Sequence, residues 1–195
     1  ALVVAQTAIG LLRQHLRPGD RVHGIVTKGG DAANVIPART TAAWMVRAET
    51  LDLLEETKVK VVRCFEAGAL ATGATLELTE DGDPYSEMRH DHDLSALYQR
   101  NAEALGRSFV DRSDRGAGST DMGNVSLALP SIHPTIGIDA LPAVNHQPEF
   151  TAKCATPAAD QAVVDGAVAM AWTAIDAAAD PALRDRLLAG PGQRT

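Results

Sequence analysis

The chain has 195 residues, enough for one domain or two small ones, and it carries a net charge of −7 with 45% apolar and 22% charged residues, the range of an ordinary soluble globular protein. The acidic balance and the lack of a Lys/Arg cluster speak against a nucleic-acid partner. No apolar run reaches the ~18 residues that a membrane span needs, so no membrane partner is expected.

Aromatics are only 4%, which leaves the core to Ala, Val, Leu and Ile. Residues 1–17 place Val4, Ala8, Leu11, Leu12 and Leu16 at helical spacing and stop at Pro18-Gly19-Asp20, a turn signal. The opening has neither a basic n-region nor a cleavage pattern, and it enters the helix without a cap. This predicts that the natural chain continues upstream of Ala1. Residues 21–28 show β-branched alternation and read as a strand, closed by Gly29-Gly30-Asp31. Asn34-Val35-Ile36-Pro37 is a loop or edge, because proline lacks a ladder donor. Residues 40–48 form a second strand and 49–73 a long helix with Leu51, Leu54, Val61, Val62, Phe65 and Leu70 broadly on one side. Residues 74–79 read as a short strand, ended by Glu80-Asp81-Gly82-Asp83-Pro84. The resulting order, α-β-β-α-β, is one strand short of a ferredoxin-like sandwich, and the missing strand would precede Ala1.

In the second half, residues 91–107 read as a polar-faced helix, with Asp93 as its cap, and 108–118 as a charged loop. A helix opens near 121–129, residues 131–138 form a short strand, and an Ala-rich helix spans 158–179 behind Thr156 and Pro157, a capping residue and a first-turn proline. A last short helix covers 182–188. The fold class is therefore α/β of the α+β kind. Cys64 and Cys154 have no metal or redox spacing, and free thiols in a reducing cytoplasm are the simpler reading.

Two motifs carry chemistry. Gly118-Ser119-Thr120-Asp121-Met122-Gly123-Asn124 is a small-residue loop, and Asn145-His146-Gln147-Pro148-Glu149-Phe150 sets a lone histidine among turn formers. Backbone amides of Gly118, Ser119 and Thr120 can approach a ligand closely, or the segment is simply a helix start. His146 is either a turn histidine or a metal ligand stiffened by Pro148. One imidazole cannot hold a catalytic zinc, which needs three or four protein ligands.

With the Val-His-Gly-Ile strand at 22–25 and the Asn-Val-Ile-Pro turn at 34–37, these motifs occur in the order found in a known family. Over nearly its whole length the chain resembles the dizinc aminoacylase/carboxypeptidase metallopeptidases. It is most like the amidohydrolase subgroup of aminobenzoyl-glutamate hydrolases and β-alanyl-lysine dipeptidase-like proteins. The resemblance implies a lid and dimerisation domain over 1–85, incomplete at its N-terminus, and the C-terminal segment of a zinc-peptidase-like catalytic domain over 90–195. It implies hydrolysis of an N-acyl-amino-acid or dipeptide amide bond with two zinc ions, a small-molecule substrate and a homodimer paired through the lid.

Carried over residue by residue, the resemblance makes His146 the last metal ligand. His23 would act in the partner's site as a catalytic residue that stabilises an oxyanion; otherwise it is a half-buried strand histidine. Asn34 and Arg47 would bind the substrate carboxylate, which a guanidinium fork meets bidentately; otherwise Asn34 is a turn former and Arg47 a solvated strand end. The family's other ligands lie in a Cys-Gly-His-Asp-like segment and a Glu-Glu segment, and neither occurs in this chain. The chain alone is therefore expected to be inactive, with a non-catalytic dimerisation or acyl-amino-acid-binding module as the alternative. His90 and His92 resemble a metal pair only if their segment is extended, and the family has no ligands there. His133, ahead of Pro134, reads as structural, and His15 as a helix-surface residue.

Overall fold

The computed structural model describes residues 1–109 and 118–190. It is a mixed α/β chain with one two-stranded antiparallel sheet and several helices. The chain divides into two compact units, Ala1–Glu87 and Met88–Thr195.

In the first unit, helix α1 (Leu2–Leu12) and a 3₁₀ turn (Arg13–His15) lead to strand β1 (Arg21–Lys28), strand β2 (Thr41–Arg47) and helix α2 (Leu51–Thr72). No side chain caps α1. The Thr50 hydroxyl accepts the Leu53 N–H to start α2, and Gly73 ends it at φ 68°, a left-handed C-terminal geometry that favours glycine. β1 and β2 pair so that Val22 faces Val46 and Gly24 faces Trp44. Ile9, Val22 and Val61 form the core, with Leu12, Leu16, Trp44, Val46 and Phe65 packed around them. Trp44 meets Phe65 edge-on at 5.6 Å. Beneath this layer the buried Thr57 hydroxyl donates to the buried Asp20 carboxylate at 2.9 Å.

Two expectations fail here. Residues 74–79 form no strand. No strand lies beside them among the described residues, so their backbone groups have no ladder to join. Helix α2 buries Gly68 and Ala69, while Leu70 is 85% exposed. Helix α1 crosses too closely for a large side chain: a Cβ on Gly68 would lie 2.7 Å from the Ala1 carbonyl oxygen.

The second unit contains α3 (His92–Ala104), α4 (Met122–Ala128), α5 (Pro148–Lys153), α6 (Pro157–Ala179) and α7 (Pro181–Leu188). Thr156 caps α6 ahead of Pro157, as the residues predict, and Asp180 caps α7. Asp91, not Asp93, caps α3, accepting the Leu94 N–H at 3.1 Å. The expected strand at 131–138 reduces to a single bridge between His90 and Ser131, and α5 was not foreseen. The loop read at 108–118 falls mostly outside the described residues.

Helix α6 packs on α3 through Tyr98, Ala102 and Ala169. The Asn101 amide donates to Thr173, and Arg107 grips Asp165 at 2.7 and 2.8 Å. By length and composition α6 is long and apolar enough to cross a membrane. That corrects the run-length criterion applied to the sequence. The core helix of a globular domain passes the same test, and one face of α6 is buried with Asp165 and Thr173 on it.

Candidate functional site

The hairpin positions two of the candidate residues together. His23 pairs with Met45 and Arg21 with Arg47. Because side chains alternate across a strand, Arg21, His23, Met45 and Arg47 share the face opposite the Val22–Val46 core pair. His23 and Arg47 are thus diagonal neighbours on an outward face, and both are exposed. Diagonal pairs lie within reach of long side chains. His23 also lines a groove of about 500 Å³ with Arg13, Arg17 and Arg21. The arginines are engaged: Arg13 donates to the Val22 carbonyl at 2.7 Å, Arg17 pairs with Glu56, and Arg21 donates to the Pro18 and Asp20 carbonyls.

Asn34 is not brought to this face. It sits exposed in the turn between the strands, where the Val35 N–H reaches the Ala32 carbonyl. Arg47 lies at the far end of β2. A seven-residue strand is about 20 Å long, so strand geometry separates the two candidates for one carboxylate.

In the second unit, Gly118 and Ser119 are exposed and Thr120 is half-buried. The Thr120 hydroxyl accepts the Met122 N–H at 3.3 Å and lies 3.4 Å from His133 Nδ1. His133 in turn donates its backbone N–H to His90 Nδ1 at 3.4 Å. No sequence pattern joins these residues, since the contacts close between positions 13 and 43 residues apart. His90 titrates below the ordinary histidine value, first because it is partly desolvated and second because His133 is a like charge beside it.

His146 is exposed and adopts φ 70° just before α5, a left-handed backbone that is uncommon outside glycine. Strain of this kind concentrates at functional sites. The Gln147 side chain pins the turn by accepting the Val144 N–H at 3.0 Å. Among the described residues no group of three or more His, Cys, Asp or Glu side chains is placed to hold a metal ion. A zinc site needs three or four ligands, so the described residues do not by themselves fit one.

No protein-family model matches the chain. Over 188 residues it is 37% identical to the Xaa-Arg dipeptidase of Mus musculus, an alignment covering 94% of this chain and 43% of that protein. Over 186 residues it is 33% identical to the Xaa-Arg dipeptidase of Homo sapiens, covering 94% of this chain and 42% of that protein. The chain is therefore similar along almost its whole length to dipeptidases, of which it spans less than half.

Proposed function

We propose that this chain is the lid and C-terminal catalytic segment of a metal-dependent dipeptidase acting on dipeptides of the form Xaa-Arg. The observation that carries the reading is the 37% identity over 94% of the chain to a protein of that name. On this reading residues 1–85 are a ferredoxin-like lid whose first strand lies upstream, which would give residues 74–79 a ladder to join. The homodimer would form through the hairpin unit, whose outward face exposes Ile25 by 65% and Met45 by 60%, large apolar groups beside His23. Cys64 and Cys154 are free thiols, which suits a reducing cytoplasm.

His146 is the proposed metal ligand, one corner of a centre of two zinc ions whose remaining ligands lie outside this chain. Two bound ions would activate water and polarise the carbonyl; no step through them follows from the residues described. What the chain's own groups offer is recognition. Arg47 presents a planar fork for a substrate carboxylate. His23, on the same face, offers a donor for the oxygen of a carbonyl whose charge develops during hydrolysis. The amides of residues 118–120 offer backbone donors on a small-residue loop.

The complete polypeptide should cleave Xaa-Arg dipeptides and bind about two zinc ions per chain, as two-metal hydrolases do. His146→Ala should abolish cleavage while leaving the far-ultraviolet spectrum unchanged; retained cleavage rejects the assignment.

The second reading is a non-catalytic dimerisation or acyl-amino-acid-binding module. The lack of a ligand cluster among the described residues favours it for the isolated chain. Metal analysis and a hydrolysis assay on this chain alone separate the two, since tight stoichiometric metal without further sequence counts against a module.

A further inference from the structure

We propose that His133 is a positioning residue for Thr120, and that His90 makes this hold depend on pH. The proposal rests on residues 118–120 contacting the substrate, as above. It concerns how that loop is held.

Three contacts hold the segment around His90, one to α4 and two to the segment around His133. The Arg89 N–H donates to the buried Ser126 hydroxyl at 2.9 Å, the Asp91 N–H donates to the Ser131 carbonyl at 2.9 Å, and the His133 N–H donates to His90 Nδ1 at 3.4 Å. Ser126 is itself fixed, donating to the Gly123 carbonyl at 2.7 Å. Thr120 enters from α4's side through its contact with His133 Nδ1. His90, His133 and Thr120 thus form one polar chain across three segments.

The hydrogen bonds assign proton positions. His90 Nδ1 accepts, so it is unprotonated, and neutral His90 carries its proton on Nε2. Protonating His90 puts a second hydrogen on Nδ1, facing the His133 N–H, so that bond must break. Among the described residues, charged groups near His90 come from two segments. From its own segment come Arg89 and Asp91, the latter neutralised by Arg186 of α7. From the facing segment comes His133, and beyond Thr120 stands Asp121, which accepts from the Thr120 hydroxyl at 3.4 Å. The single Thr120 hydroxyl hydrogen goes to Asp121, so His133 Nδ1 is the donor in its contact with Thr120. When His90 ionises, the His133 N–H loses its acceptor, and the hold of His133 on Thr120 is released with it. A histidine favoured neutral in the folded state contributes stability above its unfolded value, near 6.5, and loses it as pH falls through the lower folded value. The latch is closed at neutral pH and opens in mild acid.

The experiment is a pH titration of this chain by nuclear magnetic resonance, following the two imidazoles and the Thr120 amide, with Ala-Arg as the ligand probe. The Thr120 amide should shift with the midpoint of His90, below that of an ordinary histidine. His133→Gln should abolish that response, and His90→Gln should remove its low-pH step. Both side chains are exposed, and the wild-type titration is decisive without either variant. A Thr120 amide indifferent to pH across the His90 midpoint overturns the proposal. In the ligand arm, Ala-Arg affinity should fall below the His90 midpoint by up to about tenfold per pH unit, the slope one competing proton imposes. It should be flat there in His90→Gln. Coupling of Thr120 to His90 without Ala-Arg binding supports the latch and counts against residues 118–120 as substrate contacts. Ala-Arg binding without that coupling does the reverse.

Discussion

Asp91 receives both arms of the Arg186 guanidinium, at 2.8 and 2.9 Å, while the same carboxylate caps α3 through the Leu94 N–H. One buried side chain therefore starts a helix and ties α7 to its first turn. A carboxylate at a helix N-terminus is favoured by the orphan N–H groups and the helix dipole. The guanidinium meets it as a two-pronged donor. Arg186 is raised above its usual value, first by the hydrogen bond to Asp91.

Asp91→Ala should lower the stability of the second unit by about 1–3 kcal/mol, the sum of a lost cap and a lost, solvent-screened ion pair. Asp91→Asn keeps a capping oxygen and should lose less. Arg186→Met should lose least, because Arg186 is 44% exposed and solvent screens the pair. Urea midpoints give the ranking; equal losses for Ala and Asn would show that the cap contributes nothing.

Gly24 faces Trp44 across the hairpin, and a Cβ at that position would lie 2.1 Å from the indole ring. An alanine there must push the ring out of its edge-on contact with Phe65. Gly24→Ala should destabilise the first unit by about 1–3 kcal/mol, the usual cost of overpacking, and shift the emission of Trp44. Unchanged emission together with an unchanged melting temperature would mean that the ring does not lie over Gly24.

Asp165 titrates below the ordinary carboxylate value, chiefly through the Gln161 hydrogen bond and then through Arg107, against a smaller opposing effect of burial. A carboxylate lowered in the folded state adds stability above its unfolded value, about 3.9, and that stability disappears as pH falls through the folded value. The α3–α6 pair should therefore weaken below pH ~4. Asp165→Asn should flatten the acid limb of the stability curve and lower the plateau at neutral pH. An acid limb identical to the wild type's would assign that pH dependence to other groups.

What the sequence made legible and what it hid follow a physical line. Thr156-Pro157 marked a helix start because a cap is a local hydrogen bond, closed within three residues. The hairpin was readable because one face must bury Val22 and Val46 while the other stays wet. Residues 74–79 misled because alternation describes a side-chain pattern, whereas a strand also needs a neighbour. Asp91 and Asp93 stand two residues apart in a repeated His-Asp pattern, and Arg186 reaches both; the bond of the Asp91 N–H to the distant Ser131 carbonyl is what sets Asp91 apart. Leu70 was placed inward by hydrophobicity, but the closeness of α1 selects Gly68 and Ala69 instead. His133 beside Thr120 is a contact between loops, for which no periodicity exists. His146 was singled out from its turn-forming neighbours, and its left-handed backbone is a property that a histidine's letter does not carry.

The hairpin also allows a test of the proposal that Arg47 and Asn34 hold a substrate carboxylate. Arg47 and His23 share a face at one end, and Asn34 stands in the loop at the other. In the complete polypeptide, Arg47→Ala should raise KM for an Xaa-Arg dipeptide about 10- to 100-fold with kcat little changed, the loss of one charged hydrogen-bonding group. Arg47→Lys should recover only part of this, because an ammonium cannot make the planar two-point contact. Asn34→Ala should have a smaller effect of the same kind. Combining Asn34→Ala with Arg47→Ala then decides whether the two grip one carboxylate. Groups on a shared ligand give losses that do not add, whereas distant independent groups add to within about 0.5 kcal/mol. The hairpin separates them within one chain, so non-additive losses would mean that the loop folds back onto β2 or that the two residues come from different subunits. Simple additivity would remove Asn34 from the carboxylate site and leave Arg47 to hold it.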